Sequence, residues 1–355
     1  MDTPRPLLCV AWLSVLTSCG DDTPKGGDKG GGGSMSSAGS GGSAATAGVG
    51  VGGNEDGGVD SGGSVVGGSS SGGAGVSGGG PTGPGPSCDG LEMNCGASEN
   101  EDCCASSAIP GGTFDRGNDT RFPATLSPFR LDRFEVTVAR LRSFVETYPG
   151  NLPAAGSGKN PNNPNDMGWN ATWQLPMTQV ELIDGFMCDG TNWTDSPQGS
   201  EKQPANCVSW YVAYAFCIWD RGRLPTEAEL GFARAGGGEQ RPYPWSTSPT
   251  DETIDDTYAV FGDTASDIVG SRSPKGDGRW GQADLAGNIS EWSLDGFAAL
   301  PVPCTDCSIA MGSERIAQGG DFRDDAPILL ISAARDSLFT ADAALTVGFR
   351  CARSR

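Results

Sequence analysis

The 355-residue sequence contains no histidine. Histidine is the commonest general base and the commonest protein ligand of iron, copper and catalytic zinc. Its absence excludes Ser-His-Asp, Cys-His and histidine-ligated metal mechanisms for this chain acting alone. Basic residues are also scarce, 24 against 44 acidic ones, which gives a formal net charge of −20. With no basic cluster in the sequence, nucleic acid is not expected as a partner.

The apolar run at the N-terminus, from Leu7 to Leu16, is too short to span a bilayer and is typical of a signal-peptide core. It leads into Leu16-Thr17-Ser18-Cys19, which resembles a bacterial lipobox. The resemblance implies a lipoprotein signal peptide over residues 1–18 and lipidation of Cys19. Ordinary signal cleavage near the same place is the alternative. In either case we expect the chain to be exported, and in the first case to be lipid-anchored to the bacterial cell envelope, at the outer membrane, its periplasmic face or the surface.

Aromatic residues are absent from residues 20–86, which hold 28 of the 56 glycines. Such a segment cannot bury enough apolar surface to offset its ordering entropy. We therefore predict that residues 19–86 form a disordered Gly/Ser-rich tether that begins at the lipidated Cys19.

Cysteine is absent between Gly319 and Arg350, yet ten cysteines follow Cys19. An even number in an exported protein predicts disulfides. Four of them crowd a short acidic segment, residues 87–107, where a disulfide-stapled knot is favoured over a zinc site. The pairing of these four is left open by the sequence: Cys88, Cys95, Cys103 and Cys104.

Helical periodicity is limited to a few segments of the remaining chain. Apolar residues recur at helical spacing after Thr137, a plausible N-cap. Ser209 can cap a helix that is apolar nearly all round and should therefore be buried. Thr226 and Glu229 fit a capping box, which gives Glu227 and Glu229 structural rather than catalytic interpretations. Beyond Tyr243, short apolar runs and turns predict irregular loops around small sheets.

Eight motifs then occur in a fixed order: GGTF, LDRFEVT, NCVSWYVAYAFCIW, GRLPTEAEL, YPW, GNISEW, GGDF and GFRCA. Together they resemble the formylglycine-generating enzyme, or sulfatase-modifying factor, family. The resemblance covers essentially all of a predicted domain at residues 108–355. It implies an α+β fold, compact and C-type-lectin-like, with little regular secondary structure.

The stretch GQADLAGNISEW, residues 281–292, matches a calcium-binding run of that family. The resemblance implies that Asp284 and Glu291 supply carboxylate oxygens, and that Gly287 and Ile289 supply backbone carbonyls. An oxygen-only ligand set suits calcium, whose role here would be structural. The alternative is a turn whose acids are solvated or bonded to amides.

The resemblance also implies a disulfide between Cys217 and Cys351. A second family bridge would need cysteines near Arg234 and Ser332, and both are missing. We further expect Cys188 to pair with Cys207, and Cys304 with Cys307 as a C-x-x-C bridge. A redox-active Cys304–Cys307 pair is the less favoured alternative, because no nearby group would lower a thiol pKa.

The family's oxidases hold copper through two cysteines that follow the GGS turn. In this sequence their places fall on Asp324 and near Pro327, neither of which can hold Cu(I). Asp321, Asp324 and Asp325 form either a hard-metal site or, as we favour, a solvated acidic loop. No copper or iron is therefore expected.

Tryptophans give the last sequence-based hypothesis about binding. Five lie in loop-rich stretches and could present a sugar or peptide site, although core filling is favoured for most of them: Trp169, Trp173, Trp193, Trp245 and Trp280. We predict a binding or assembly module for an unknown protein, peptide or glycan. The alternative is an oxygen-dependent oxidase that modifies a protein cysteine through an unconventional metal site.

Overall fold

The computed structural model describes residues 85–310 and 312–355; the predicted signal peptide, Cys19 and nearly all of the tether lie outside this part. None of the described helices is long and apolar enough to cross a membrane. The α-helices are short: α1 (Val138–Glu146), α2 (Gln179–Asp184), α3 (Trp210–Trp219) and α4 (Glu227–Arg234). Single 3₁₀ turns cover Pro86–Cys88, Arg116–Asn118, Gly237–Glu239 and Pro327–Leu329.

The strands of the described chain form three small sheets. One has the order β1-β4-β10, from Ser106–Ile109, Phe129–Asp132 and Ala352–Ser354. The second has the order β2-β3-β6, from Gly112–Asp115, Pro123–Leu126 and Cys304–Thr305. The third has the order β8-β7-β5-β9, from Asp336–Phe339, Glu314–Gln318, Ser290–Gly296 and Val347–Gly348. Only the pairs β3–β6 and β5–β9 are parallel, so this is the α+β class that the sequence predicts.

The caps of α1, α3 and α4 are those predicted from the sequence, whereas the capping box of α2 at Thr178 and Glu181 was not predicted. The hydroxyls of Thr137 and Ser209 accept hydrogen bonds from backbone amides three residues on. Thr226 and Glu229 form the reciprocal capping box. A side-chain oxygen at these positions satisfies backbone N–H groups that have no partner within the helix. Local residue chemistry is therefore enough to place the start of each of these helices.

Helix α3 is the centre of the main hydrophobic core. Seven of its ten residues are buried, as expected for a helix that is apolar nearly all round. Its Phe216 packs against Phe144 of α1 at a ring-centroid distance of 5.7 Å and against Phe349 at 5.3 Å. The indole nitrogen of Trp210 donates to the carbonyl of Ser293 in β5. These contacts join α1, α3 and the third sheet in one core.

The cysteine-rich segment is packed against the domain. Cys88 pairs with Cys104, and Cys95 with Cys103, which gives the pairing that the sequence left open. The second pair is buried with Phe134, Val269 and Ala283. Strand β1 already begins at Ser106, before the boundary predicted at residue 108. A boundary there would divide a strand that pairs with β4.

A buried ion cluster holds the start of this segment in place. Arg140, fully buried on α1, binds Asp132 at 3.0 Å and Asp220 at 2.7 Å. Its Nε also donates to the Ser87 hydroxyl, and the Ser87 amide donates to Asp220. Arg353 in β10 contacts the same two carboxylates. Two buried acids are thus balanced by two arginines, which is the condition for burying charge at acceptable cost.

Candidate metal and binding sites

The stretch matched to a calcium run turns sharply before it enters β5. Asp284, Gly287 and Asn288 all have positive φ values, of 55°, 80° and 60°. A Cβ at Gly287 would lie 2.5 Å from the carbonyl oxygen of Val260, so glycine is required there by both conformation and space. Asn288 bonds to Glu135 through its side chain, and Ile289 does so through its backbone amide. The turn is therefore fixed from one side by Glu135.

Glu291 is bound by a buried arginine from the end of the chain. Arg350 Nε lies 2.8 Å and 2.7 Å from the two carboxylate oxygens of Glu291, and Nη2 lies 2.5 Å from one of them. The other donors of Arg350 reach the carbonyls of Asp132, Arg133 and Ala283. Both residues are buried. The motif GFRCA thus supplies the counter-charge of the acid in GNISEW.

Two further buried carboxylates lie beside this pair with less compensation. Burial raises the pKa of Asp284 to about 6, opposed by a 2.5 Å hydrogen bond from the Gly270 amide. Burial, followed by the negative charges of Asp284 and Glu291, raises the pKa of Glu135 well above its usual value. Arg350 binds Glu291, and the charge of Arg234 also acts on Glu291. Three acids therefore outnumber the two arginines near them, and the neighbourhood favours an additional positive charge.

These residues fit calcium only in part. The donor atoms are oxygens, and uncompensated acids are present, as calcium requires. Against this, both oxygens of Glu291 are engaged by Arg350. Among residues 85–310 and 312–355, no group of three or more Cys, Asp or Glu is arranged to hold a metal. A calcium ion at Asp284, Gly287, Ile289 and Glu291 would have to share Glu291 with the guanidinium.

Residues 319–335, which include the positions matched to the copper thiols, form a turn with both partly buried and exposed side chains. The backbone amide of Asp321 donates to Asp324 across the GGDF turn. Burial raises the pKa of Asp321 to about 6, so this acid is not simply solvated. Pro327 opens a 3₁₀ turn whose Ile328 and Leu329 are exposed. The favoured expectation of a solvated loop thus fits Asp325, which is exposed, better than Asp321.

The two ends of the missing family bridge are adjacent in space. The Ser332 hydroxyl donates to the backbone carbonyl of Arg234 at 2.9 Å. The buried Arg234 guanidinium donates to four backbone carbonyls, those of Leu285, Leu330, Ile331 and Ala334. A hydrogen-bonded arginine therefore ties this segment to α4 and to the calcium-like stretch without a covalent link.

All ten cysteines of the described residues are in disulfides. The three expected bridges are present: Cys217–Cys351, Cys188–Cys207 and Cys304–Cys307. With the two pairs of the cysteine-rich segment, no thiol in this part of the chain is left to bind Cu(I), which prefers soft thiolate ligands. The residues present do not fit the family's copper centre.

The tryptophans divide as the core-filling interpretation predicts, with one exception. Trp169, Trp193 and Trp245 are buried. Trp280 is partly buried and stacks on Phe232. Trp173 is also partly buried, and it lines a cavity together with Trp210 and Arg315. That cavity could not be predicted from the sequence, because Arg315 lies in a strand with no motif that marks a binding site.

Comparison with known proteins identifies the family of this chain. The sulfatase-modifying factor enzyme 1-like domain matches residues 93–355. The formylglycine-generating enzyme of Thermomonospora curvata is 29% identical over 296 residues, covering 69% of this chain and 92% of that enzyme. The inactive C-alpha-formylglycine-generating enzyme 2 of Mus musculus is 28% identical over 219 residues, covering 53% and 68%. Among solved structures, PvdO from Pseudomonas aeruginosa covers 70% of this chain and 94% of its own, at 21% identity and a TM-score of 0.49.

Proposed function

Because this chain belongs to the sulfatase-modifying factor family, we propose that its domain is a binding or assembly module without the family's copper oxidase chemistry. One observation carries the proposal: every cysteine of the described residues is in a disulfide. The positions matched to the copper thiols hold Asp324 and Pro327, and neither side chain is a ligand for Cu(I). A relative named as inactive shows that the domain also occurs without the activity.

The proposed location is the bacterial cell envelope. The lipobox-like sequence before Cys19 supports lipid anchoring, and the glycine-rich residues 20–86 support a tether of roughly 40–50 Å mean reach. Five disulfides in the described domain agree with an oxidising compartment. An anchored module of this kind would present its surface to a protein, peptide or glycan partner near the membrane.

The test of the absent oxidase activity uses a peptide that contains a Cys-x-Pro-x-Arg motif. The peptide is incubated with the purified chain, copper and oxygen, and its mass is followed. We expect the thiol to persist, while the Thermomonospora curvata enzyme converts the same peptide in parallel. Loss of the thiol with this chain would establish an unconventional metal site and overturn the proposal.

We also propose that the stretch from Asp284 to Glu291 binds a structural calcium ion. The support is the excess of buried carboxylates over arginines in this region: three acids, Glu135, Asp284 and Glu291, lie near two arginines, Arg350 and Arg234. A cation bound only by the folded chain stabilises it by about 2.7 kcal/mol at a hundred times its Kd.

Calcium binding is tested by metal analysis after dialysis without chelator and by thermal unfolding with calcium or EDTA. We expect about one calcium per chain and a Tm higher by about 5–10 °C in calcium. Asp284→Asn should lose most of that increase, whereas Asp325→Asn, at an exposed acid outside the stretch, should retain it. An unchanged Tm in the wild-type chain would contradict the calcium proposal without affecting the absence of copper chemistry.

A further inference from the structure

A cavity of about 180 Å³ lies beside the main core, on the side where a long loop precedes α2. Asp166 and Trp173 line it from that loop, and Trp210 lines it from the first position of α3. Leu294, Ala310 and Arg315 line the cavity from outside that loop and helix. An engineered cavity of about 150 Å³ binds benzene. The volume therefore suits a ligand the size of one aromatic ring with a small substituent.

Arg315 gives the cavity its chemistry. Only 3% of this residue is exposed. Its Nη1 donates to the carbonyl of Leu294 and its Nη2 to that of Ala310. Its Nε has no hydrogen-bond partner among the described residues. Within the same part of the chain no carboxylate forms an ion pair with Arg315. Of the other buried arginines there, Arg140, Arg223 and Arg350 have an ion pair, whereas Arg116 and Arg234 do not. The charge of Asp295 acts on Arg315 without forming an ion pair, so a buried cation is left without a bound counter-ion.

The aromatic walls restrict what can enter. The Arg315 guanidinium lies over Trp210, 4.0 Å from the ring centroid, and 5.9 Å from that of Trp173. Trp173 meets Trp210 edge to face at 5.1 Å. The face of Trp210 is therefore covered by the guanidinium, so a sugar cannot stack there as on an open tryptophan. A flat apolar ring can still pack against the edges of the indoles and against Leu294.

The loop that closes the cavity is held in position by its own hydrogen bonds. Asp166 accepts from the backbone amides of Asn160 at 2.7 Å and Gly168 at 2.8 Å, so its charge is already solvated by the loop. The side-chain amide of Asn163 donates to the Ser308 hydroxyl. This hydrogen bond connects the loop to the segment that leads to Ala310. The cavity is therefore formed before any ligand binds, and a formed site lowers the ordering cost of binding.

We propose that this cavity binds a small aromatic carboxylate, with the carboxylate on Arg315 and the ring against Trp173 and Leu294. The inference rests on the proposed function as a binding module and names its ligand class. A carboxylate supplies a directly bound counter-charge, which Arg315 lacks, and each Nη has a second N–H beyond the one that bonds to a carbonyl. Burial lowers the pKa of Arg315, and a bound anion would restore it.

Benzoate is the probe, and its binding is measured by ligand-observed NMR and by tryptophan fluorescence. Benzoate has about nine non-hydrogen atoms, and a Kd in roughly the submillimolar to millimolar range is expected for that size. Benzyl alcohol keeps the ring without the charge and should bind at least about tenfold more weakly. Equal binding of the two compounds, or no benzoate binding at 10 mM (a concentration of about ten times the expected Kd), would overturn the proposal.

Two variants locate the site. Arg315→Gln should weaken benzoate binding by at least about tenfold, but loss of its carbonyl contacts could also unfold the chain. Ala310→Phe avoids this difficulty because Ala310 is exposed at the cavity, where a ring would obstruct it. Ala299→Phe makes the same change at an exposed alanine outside the lining. Benzoate binding that survives Ala310→Phe unchanged would place the ligand elsewhere and contradict the inference.

The source of the carboxylate is tested with the peptide Gly-Gly-Gly-Phe as the free acid and as the C-terminal amide. Binding of the acid alone, sensitive to Ala310→Phe, identifies a peptide C-terminus as a ligand. If benzoate binds and this peptide does not, the ligand is a free small-molecule acid. The Cys-x-Pro-x-Arg peptide is assayed on the same sample, so a failed cavity proposal with an intact thiol leaves the non-oxidase assignment standing.

Discussion

Two segments of this chain differ in how much of their family's pattern they keep. The stretch 284–292 keeps Gly287 and Glu291, to which Arg350 binds, and most of it is buried, although Ser290 stands where the family carries tryptophan. The segment 319–335 retains the GGDF turn but has acids, a proline and exposed Ile328 and Leu329 where the oxidases carry thiols. Residues that hold the framework together are under constraint from packing. The reacting groups contribute little to stability, so they can be lost while the fold persists.

The largest expected effect concerns the bridge that flanks the retained stretch. Cys217–Cys351 joins residues 134 apart, and Cys304–Cys307 joins residues 3 apart. In the loop-entropy account, replacing the first pair by alanine should cost about 4–5 kcal/mol and the second about 1–2 kcal/mol. Urea unfolding of the two double variants measures the difference. Equal losses would mean that loop length does not govern the contribution of these bridges.

The next effect tests the buried ion pair directly. Glu291→Gln removes the carboxylate that bonds to Arg350 and leaves it only the unbonded charges of Glu135 and Asp284, and we expect a loss of about 3–5 kcal/mol in the free energy of unfolding. Asp325→Asn makes the matched acid-to-amide change at an exposed position of the replaced segment and should stay within about 0.5 kcal/mol of the wild type. Comparable losses at the two sites would mean that the stretch 284–292 does not contribute more to stability than the segment 319–335.

A smaller effect should appear as pH dependence further along β5. Burial, with the negative charge of Glu227 second, raises the pKa of Asp295 to about 7. Between pH 4 and 7 the folded chain then holds a proton that the unfolded chain has released. Stability should therefore fall as pH rises through this range, by a few kcal/mol in order of magnitude.

The control for this pH effect is Asp295→Asn, measured by urea unfolding at pH 4, 5.5 and 7. The variant should show a flatter decline than the wild type, because its side chain does not titrate. Parallel curves for the two proteins would show that Asp295 is not the titrating group.

The smallest expected loss of stability concerns the hydrogen bond between Ser332 and Arg234, the positions where the family has a second disulfide. Ser332→Ala removes the hydrogen bond to the Arg234 carbonyl, and about 1 kcal/mol is expected from a single buried hydrogen bond. Ser337→Ala, at a partly exposed serine on β8, is the control and should have less effect. A loss of several kcal/mol at Ser332 would show that this contact replaces the bridge in strength as well as in place.

Much of the fold could be predicted because the evidence for it is local or covalent. The caps at Thr137, Ser209 and Thr226 depend on side chains that reach amides three residues away. The burial of α3 follows from its own composition. The absence of copper thiols is a matter of residue identity, which no folding can change.

The candidate site was predicted less completely. Sequence spacing placed Asp284 and Glu291 on one turn but gave no sign that Arg350 would take both oxygens of Glu291. It also gave no sign that Glu135 would face the same turn, since Glu135 lies 149 residues before Asp284 in the chain. Asp321 is less solvated than expected, because it is partly buried by neighbours from other segments.

The sequence by itself determined the family, the starts of α1, α3 and α4, and the absence of thiols at the positions matched to the copper ligands, because each depends on residue identity or on contacts within one turn of chain. Only the tertiary structure decided that Arg350 neutralises Glu291, that Ser332 meets Arg234, and that Arg315 lines a cavity with two tryptophans. These contacts join residues that lie 59, 98 and more than 100 positions apart. Their partners are selected by packing of the whole chain, which local periodicity does not encode.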